Sequence, residues 1–428
     1  MHISSHCKEK IIKEKTLLVD VIFPTETEEG IQYELDELAS LSDTAGAEVF
    51  GRITQRRIKA DAAFFIGKGK AQSIVNKAKE LRCNIILFND ELSPTHVKNL
   101  QKLAGDSIKI MDRTGIILDI FSQHAKTKES RKQVELAKLE YMLPRLTRQW
   151  THLERQMGGI GTRGGPGETQ IEIDRRLIRN QITKLKSELE KISRQRLTQN
   201  QNRKNAYKIA LVGYTNAGKS TLLKVLTGED VYVENQLFAT LDTTTRRLDL
   251  AKELPVLLSD TVGFIHKLPH NLVASFRSTL SEVKDADLLL KVVDCSSLNF
   301  KNHLDTISKV MINITSRQID YILVFNKIDN LRDVKQLNIL KKLYPDAIFI
   351  SAQKELRINN LLNKIIFKAT QNNIETKILI PYEKSGFLDQ IYSQINVIER
   401  KEGEFGFEFK ISGKPERIDR LLSLLKKK

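Results

Sequence analysis

The sequence predicts a multidomain α/β protein in which a long antiparallel α-helical hairpin separates two α/β regions, followed by a small C-terminal α/β domain. Apolar strand-like runs alternate with stretches of helical periodicity over residues 1–125 and again over 206–372, which is typical of α/β folds with parallel sheets. Residues 126–205 instead carry apolar seams of helical spacing. A shorter pattern fills 373–428, with predicted strands at Lys377–Ile380 and Gly406–Ile411 and predicted helices at Leu388–Val397 and Glu416–Leu425.

The N-terminal region, residues 1–125, reads as a small α/β domain with a partly parallel sheet. Its predicted strands are Thr16–Phe23, Glu48–Thr54, Ile85–Phe88 and Ser107–Met111, and its predicted helices are Gln32–Leu41, Lys70–Leu81 and Thr95–Leu103. The segment Gly67–Lys70 opens a helix, where it either binds an anion through backbone N–H groups or forms a tight turn with exposed lysines.

Two apolar seams predict the hairpin over residues 126–205. The seams are Leu136, Leu139, Leu143, Leu146, Trp150 and Leu153, then Ile171, Ile178, Ile182, Leu185, Leu189 and Ile192. Two seams of this period with one flexible connection describe antiparallel arms, each about 45 Å long at 1.5 Å per residue. Pro144 is expected to kink the first arm.

The hairpin also concentrates the positive charge. The chain has a formal net charge of +16, and residues 126–205 contain 19 Lys and Arg against 9 Asp and Glu, a net charge of +10. A charged helix face is often simply solvated. The glycine-rich connection Gly158–Gly167 favours a nucleic-acid role, because it allows close backbone approach to a polyanion. Candidate RNA contacts at this tip are Gly158, Gly159, Gly161 and Arg163.

Four motifs in order predict a guanine-nucleotide site and a P-loop GTPase domain with a doubly wound, mostly parallel sheet. They are Gly213-Tyr214-Thr215-Asn216-Ala217-Gly218-Lys219-Ser220, Asp260-Thr261-Val262-Gly263, Asn326-Lys327-Ile328-Asp329 and Ser351-Ala352-Gln353. The first is the G-x-x-x-x-G-K-[ST] phosphate loop. Each motif follows a strand-like run, at the end where such sheets place ligands.

The residue types in these motifs suit a magnesium–GTP complex. Backbone N–H groups of the first motif would surround the phosphates, with Lys219 neutralising their oxygens and Ser220 ligating Mg²⁺. We expect Asp260 to hold the metal's water shell and Gly263 to sense the γ-phosphate. The Asp329 carboxylate accepts from guanine N1–H and the 2-amino group, which adenine lacks.

The remaining guanine contacts follow from position. We expect Asn326 to brace the site, Lys327 to pack along the base and the Ala352 N–H to meet guanine O6. A second hydroxyl ligand for Mg²⁺ should come from the mobile switch I segment Phe238-Ala239-Thr240-Leu241-Asp242. Thr240 is the preferred candidate, with Thr243, Thr244 and Thr245 as competitors.

Phe264 occupies the position where Ras-like enzymes carry a water-orienting glutamine. A phenyl ring cannot orient water, so intrinsic hydrolysis should be slow or another group must act. Asn216 is a candidate ligand for a monovalent cation such as K⁺ near the β/γ bridge, which would substitute for an arginine finger.

The composition predicts a cytoplasmic protein with no membrane span; a monomer is expected, although nothing in the sequence specifies the oligomeric state. No apolar run approaches the ~18 residues that a spanning helix needs. The three cysteines lack metal or disulfide spacing, which fits a reducing compartment.

The chain resembles the HflX family of ribosome-associated GTPases, a translation-factor-related class in which a hydrophobic residue replaces the catalytic glutamine. The motifs that carry the resemblance are Gly67–Lys70, Phe88–Pro94, Asp112–Phe121, Gly158–Arg163 with Gly167–Gln170, Phe238–Asp242 and Asp260–Phe264. The extra glycine in Arg163-Gly164-Gly165-Pro166 departs from the commonest tip pattern and bears on the tip contacts alone.

This resemblance implies binding to the large (50S) ribosomal subunit with the hairpin tip near the peptidyl-transferase centre. It also implies GTP-dependent splitting of stalled ribosomes, notably after heat stress, with hydrolysis stimulated by ribosomes. Two other interpretations stay open from the residues. One is an ATP-using phosphotransferase or RNA remodeller, which Asp329 disfavours. The other is a large-subunit assembly or silencing factor that uses GTP as a timer.

Overall fold

The structure is a computed structural model, and it describes residues 13–24, 26–146, 170–201, 206–228, 236–249, 255–267, 281–315, 317–331, 333–371, 373–388, 396–413 and 415–426. The chain divides into two compact units. The first comprises Met1–Ser193, Asn235–Asp242 and Ile265–Arg277, and the second comprises Arg194–Glu234, Thr243–Phe264 and Ser278–Lys428.

The first unit contains a four-stranded parallel sheet and two long helical arms. Its elements are β1 (Glu14–Ile22), α1 (Glu28–Thr44), β2 (Ala47–Arg56), α2 (Lys68–Glu80), β3 (Ile85–Phe88), α3 (Pro94–Ala104), β4 (Lys109–Asp112), α4 (Arg113–His124), α5 (Lys128–Met142) and α6 (Gln170–Gln201). The strand order is β2-β1-β3-β4, and every pair is parallel. The direction of winding therefore reverses between β1 and β3, whose carboxyl ends face a common crevice.

The core of this sheet explains why these segments form these elements. Leu17, Val19 and Val21 alternate along β1 and pack on one face with Ile74 of α2 and Leu100 of α3. Period-2 strand residues and period-3.6 helix residues thus meet in one apolar layer. The predicted strands and helices are confirmed in type. The structure adds α4, a helix with almost wholly buried residues that the sequence pattern did not indicate.

The described parts of the hairpin arms run antiparallel. Lys132 pairs with Glu188, whereas Gln181 donates to Glu135 at 2.7 Å, so positions advance on α5 as they recede on α6. The apolar residues between the arms are Leu136, Leu139, Leu146, Ile178, Ile182 and Leu185. Helix α5 ends at Met142, and Pro144 lies in the 3₁₀ turn Leu143–Arg145, because proline cannot continue the α-helical hydrogen bonds.

The second unit contains a six-stranded sheet of order β10-β9-β8-β5-β7-β6, parallel except for the β6–β7 pair. Its elements are β5 (Tyr207–Gly213), α7 (Lys219–Thr227), β6 (Thr244–Asp249), β7 (Pro255–Asp260), α8 (Ser281–Lys284), β8 (Leu288–Asp294), α9 (Phe300–Ile314), β9 (Asp320–Asn326), α10 (Val334–Leu343), β10 (Ile348–Phe349) and α11 (Ile358–Thr370). Central strands β5 and β8 are buried on both faces, as parallel strands covered by helices should be.

The C-terminal part of this unit is a three-stranded antiparallel sheet of order β11-β13-β12 with one helix on it. Its elements are β11 (Ile374–Pro381), β12 (Asn396–Gly403), β13 (Gly406–Gly413) and α12 (Pro415–Lys426). A helix predicted over 388–397 falls largely outside the described residues. Its last two residues are in β12, where Val397 pairs with Ile411. No helix in the described part of the chain is long and apolar enough to cross a membrane.

Candidate nucleotide-binding site

The phosphate loop lies between β5 and α7, at the carboxyl end of the central strand. Gly218 has a φ of 89°, and a Cβ there would lie 2.3 Å from Asn326 Nδ2. At Gly213 a Cβ would lie 2.3 Å from the Val292 carbonyl oxygen. Both positions therefore require glycine, and the loop leads directly into helix α7, which begins at Lys219.

Lys219 is the buried cation of the loop. Its side chain donates to the carbonyl oxygens of Gly213 at 3.2 Å and Tyr214 at 2.8 Å, and the residue is only 6% exposed. Burial lowers the pKa of Lys219 to about 8, while the charge of Asp260 acts in the opposite direction. An anion beside this ammonium would raise its pKa again, which is the electrostatic property that a phosphate site needs.

Ser220 and Asp260 supply oxygen ligands that fit Mg²⁺. The Ser220 hydroxyl lies 2.5 Å from Asp260 Oδ2, and Asp260 is fully buried at the end of β7. No group of three or more His, Cys, Asp or Glu side chains forms a metal cage in the described ranges. A hydroxyl and one carboxylate suit Mg²⁺, which keeps waters and binds substrate phosphates, and GTPases of this kind generally use it. When bound, the ion neutralises the β- and γ-phosphate oxygens.

The Asp-x-x-Gly motif is tied to the phosphate loop through its backbone. Phe264 N–H donates to the Gly213 carbonyl at 3.0 Å, and Thr215 N–H donates to the Phe264 carbonyl at 2.8 Å. A Cβ on Gly263 would lie 3.0 Å from Lys219 Nζ and 2.8 Å from Thr215 Cα. Gly263 therefore cannot be replaced without moving the loop.

The Phe264 side chain is part of the core, with 2% exposure. The two backbone bonds on either side of it fix this orientation. Its position after the Asp-x-x-Gly motif is thus structural, which accounts for the absence of the water-orienting glutamine.

Asn326 braces the loop from the end of β9. Its Nδ2 donates to the Ala217 carbonyl at 2.9 Å, and its Oδ1 accepts from the Ala352 N–H at 2.9 Å. The Asn326 side chain thus joins its own motif to the phosphate loop at Ala217 and to the Ser351-Ala352-Gln353 motif at Ala352. Because the Ala352 N–H is engaged by Asn326, its contact with guanine O6 stays a prediction.

Asp329 presents the acceptor expected for guanine. Its Oδ1 is buried and has no hydrogen-bond partner within the described structure. Buried acceptors are normally satisfied, so this oxygen is suited to a ligand donor such as guanine N1–H. Lys327 adopts a φ of 64°, and its ammonium lies 2.9 Å from Asp294 Oδ2, which orients it from the end of β8.

The other predicted contacts occupy differing environments. Ser351 is fully buried, Ile328 is partly exposed and Gln353 is exposed. Asn216 has a φ of 57° in the loop. The switch I residues Phe238, Ala239, Thr240, Leu241 and Asp242 are grouped with the first compact unit. The tip candidates Gly158, Gly159, Gly161 and Arg163 lie outside the described residues.

One residue that supports the phosphate loop was not predicted from the sequence. His303 on α9 is 7% exposed, and its ring stacks on the Tyr214 ring of the loop with centroids 4.0 Å apart and planes at 15°. An isolated histidine 89 positions from its partner gives no sequence signal. The stack holds the start of the phosphate loop from the side of α9.

Comparison with known proteins agrees with this site. Three family models match: GTP-binding GTPase N-terminal over residues 32–122, GTP-binding GTPase Middle Region over 124–203, and 50S ribosome-binding GTPase over 208–327. The GTPase HflX of Caldanaerobacter subterraneus subsp. tengcongensis is 43% identical over 426 residues, covering 98% of this chain and 96% of that protein. The chain belongs to the HflX family of GTPases.

Two other HflX proteins are similar over most of their length. The GTPase HflX of Escherichia coli is 40% identical across 91% of this chain and 90% of its own length, and that of Flavobacterium psychrophilum is 51% identical across 75% and 77%. A GTP-binding protein from Sulfolobus solfataricus in complex with GDP covers 83% of this chain and 99% of its own, with 26% identity and a TM-score of 0.43. As an HflX-family member with a 50S ribosome-binding GTPase domain, the protein binds and hydrolyses GTP.

Proposed function

We propose that this GTPase binds the large ribosomal subunit through its basic hairpin and splits stalled or heat-arrested ribosomes into subunits. The observation that carries the proposal is the combination of a guanine-nucleotide site with a hairpin region whose net charge is +10. Ribosomal RNA is a polyanion with a wide shallow groove, and it matches this basic surface. The family description of the nucleotide domain as ribosome-binding supports the same partner.

The site geometry favours slow intrinsic turnover. Phe264 is held in the core, so it contributes nothing to positioning water. Ribosome binding would then supply or order the missing catalytic group, and K⁺ held near Asn216 is a second candidate. Equal turnover in potassium, sodium and choline salts would exclude the monovalent cation.

The same proposal covers the compartment, the oligomeric state and the domain boundaries. We propose that the protein acts in the cytoplasm as a monomer, with parts at 1–125, 126–205, 206–372 and 373–428. In this scheme 126–205 grips RNA and 206–372 reads the nucleotide, with Ser220 and Thr240 as the hydroxyl ligands of Mg²⁺.

Sedimentation of purified ribosomes tests the function. With a non-hydrolysable GTP analogue, the protein should convert joined ribosomes into subunits and travel with the large one, whereas GDP should leave them joined. A variant trimmed at residues 158–167 should lose splitting yet keep its affinity for GDP, which serves as its folding control. Joined particles that persist while the protein binds free large subunits would favour the assembly or silencing role instead.

A further inference from the structure

The switch I segment makes defined contacts within the first compact unit. Asp242 Oδ1 accepts a hydrogen bond from Thr127 Oγ1 at 2.7 Å, and its Oδ2 accepts from the N–H groups of Lys126 at 3.0 Å and Thr127 at 3.1 Å. These donors come from the start of α5, which is the first arm of the hairpin. A carboxylate from 115 positions further along the chain is thus fastened to the hairpin root.

Thr127 is also the N-cap of α5. Its Oγ1 accepts from the Ser130 N–H at 3.1 Å while donating to Asp242. The first N–H groups of a helix carry partial positive charge, so the Asp242 carboxylate is favoured there. Burial raises the pKa of Asp242, but hydrogen bonds from Ser130, Thr127 and the backbone outweigh it and hold the pKa below its usual value. The contact is therefore fully charged at neutral pH.

A second contact anchors the other end of the segment. The Phe238 ring packs edge-on against Phe121 of α4, with centroids 4.7 Å apart and planes at 79°. Phe238 and Leu241 are 2% and 1% exposed, and Phe238 has a φ of 57°. A bulky residue in the left-handed region is retained only when its surroundings hold it. Two of the five residues of the segment are thus buried, whereas Ala239, Thr240 and Asp242 are partly exposed.

The anchoring residues are close in sequence to the predicted metal ligand and to strand β6. Thr240, the predicted metal-ligating threonine, lies two residues before Asp242, and β6 begins two residues after it. Two residues of extended chain span at most about 7 Å. We therefore expect a displacement of Thr240 on nucleotide binding to change the contact at Thr127.

We propose that the Asp242–Thr127 contact is the joint through which the guanine-nucleotide state reaches the hairpin. This inference rests on the proposed function, because it explains how GTP would control the hairpin's grip. Coupling of this kind is reciprocal: a nucleotide that changes the joint has its own affinity changed by the joint. The contact lies at the start of α5, so a small change in the direction of this helix there would be carried along the length of the hairpin arm.

Two substitutions at Thr127 separate the joint from the helix cap. Thr127→Asp keeps a good N-cap but places a second carboxylate against Asp242, so it breaks the joint. Thr127→Ser keeps both the cap and the hydroxyl donor. Hydrogen exchange of the α5 amides should differ between the GTP-analogue and GDP states in the parent protein and in Thr127→Ser. In Thr127→Asp that difference should fall by more than half, with helix content unchanged by circular dichroism.

The readout needs no ribosomes, so it is independent of the splitting assay. The proposed role of the Asp242–Thr127 contact would be contradicted if the difference in α5 hydrogen exchange between nucleotide states were undiminished in Thr127→Asp. It would also be contradicted if the parent protein showed no such difference. If Thr127→Asp splits ribosomes as well as the parent protein does, the proposed function is supported and the proposed role of the Asp242–Thr127 contact is contradicted. If the parent protein does not split ribosomes, the proposed function is contradicted, and the hydrogen-exchange result still tests whether the Asp242–Thr127 contact transmits the nucleotide state.

Discussion

The carboxyl edges of the two parallel sheets differ in how their charges are balanced. In the first unit, Asn89 links the buried carboxylates of Asp20 at 3.1 Å and Glu34 at 2.6 Å, and the Arg113 guanidinium pairs with Glu37. In the second unit, Lys219 has only carbonyl oxygens as hydrogen-bond partners among the contacts described above. Both edges lie where such folds place ligands. The first leaves buried acids, since burial and the neighbouring Asp90 raise the pKa of Asp20 to about 7, whereas the second leaves a buried cation that suits a phosphate.

The pKa shifts express the same contrast. Burial lowers the pKa of Lys267, but Asp90 and Glu34 outweigh it, and its pKa is raised by the acids around it. Burial likewise lowers the pKa of Lys219, and there the charge of Asp260 does not compensate. Topology therefore offers two candidate crevices, and the sign of the buried charge distinguishes them: the second presents a cation to a phosphate, whereas carboxyl groups predominate in the first.

Replacement at the base-recognition carboxylate should give the largest effect. Asp329→Asn exchanges an acceptor for a donor, so the preference for GTP over xanthosine triphosphate should change on the order of 10⁴-fold. Competition binding with a fluorescent nucleotide measures it. Asp333→Asn is the control, because Asp333 caps α10 and asparagine caps as well. An unchanged preference in Asp329→Asn would refute the assignment of this oxygen to guanine.

The buried network of the first unit should respond in stability instead. Arg113→Met removes the buried ion pair with Glu37 and the hydrogen bond to Asn89, which should cost about 3–5 kcal/mol in the free energy of unfolding. Urea unfolding followed by circular dichroism tests this. Arg56→Met removes the exposed pair with Glu28 and should shift the midpoint little. GDP affinity should stay within twofold in both variants, and a large loss in Arg113→Met would erase the distinction between the two edges.

The pH dependence of GDP binding should show the smallest effect. Because the pKa of Lys219 is about 8 and a bound phosphate raises it, binding takes up a proton above pH 8. The dissociation constant should rise about tenfold from pH 7 to pH 9, where the free loop has lost most of its proton. The sign for the nucleotide-free fold is opposite: the cost of burying the ammonium falls progressively as pH rises from about 8 to the ordinary lysine pKa of 10.5, so stability increases over that range.

Calorimetry in two buffers of different ionisation enthalpy counts that proton. In Lys219→Met the uptake should vanish, whereas in Lys224→Met, a change at an exposed position on the same helix, it should remain. Proton uptake that persists without Lys219 would assign it to another group.

Much of the fold was predictable from local pattern. The strands of both parallel sheets have apolar runs of the right length, and the four nucleotide motifs follow strand ends that parallel topology brings to one edge. Helix α4 was missed because Ile116, Ile117, Leu118, Ile120 and Phe121 are all buried, so no polar face marks its period. Strand β12 was missed because its central residues are charged and exposed, so no apolar alternation marks it as a strand.

The sequence by itself predicted the chemistry of the nucleotide site, since the roles assigned to the loop glycines, Lys219, Asp260 and Asp329 rest on residue type and order. Only the tertiary structure decided which long-range partners those segments have. The Asp242–Thr127 bonds and the Lys267–Asp90 pair join residues 115 and 177 positions apart. Such contacts depend on how packed elements close the chain, and no periodicity in the sequence records that closure.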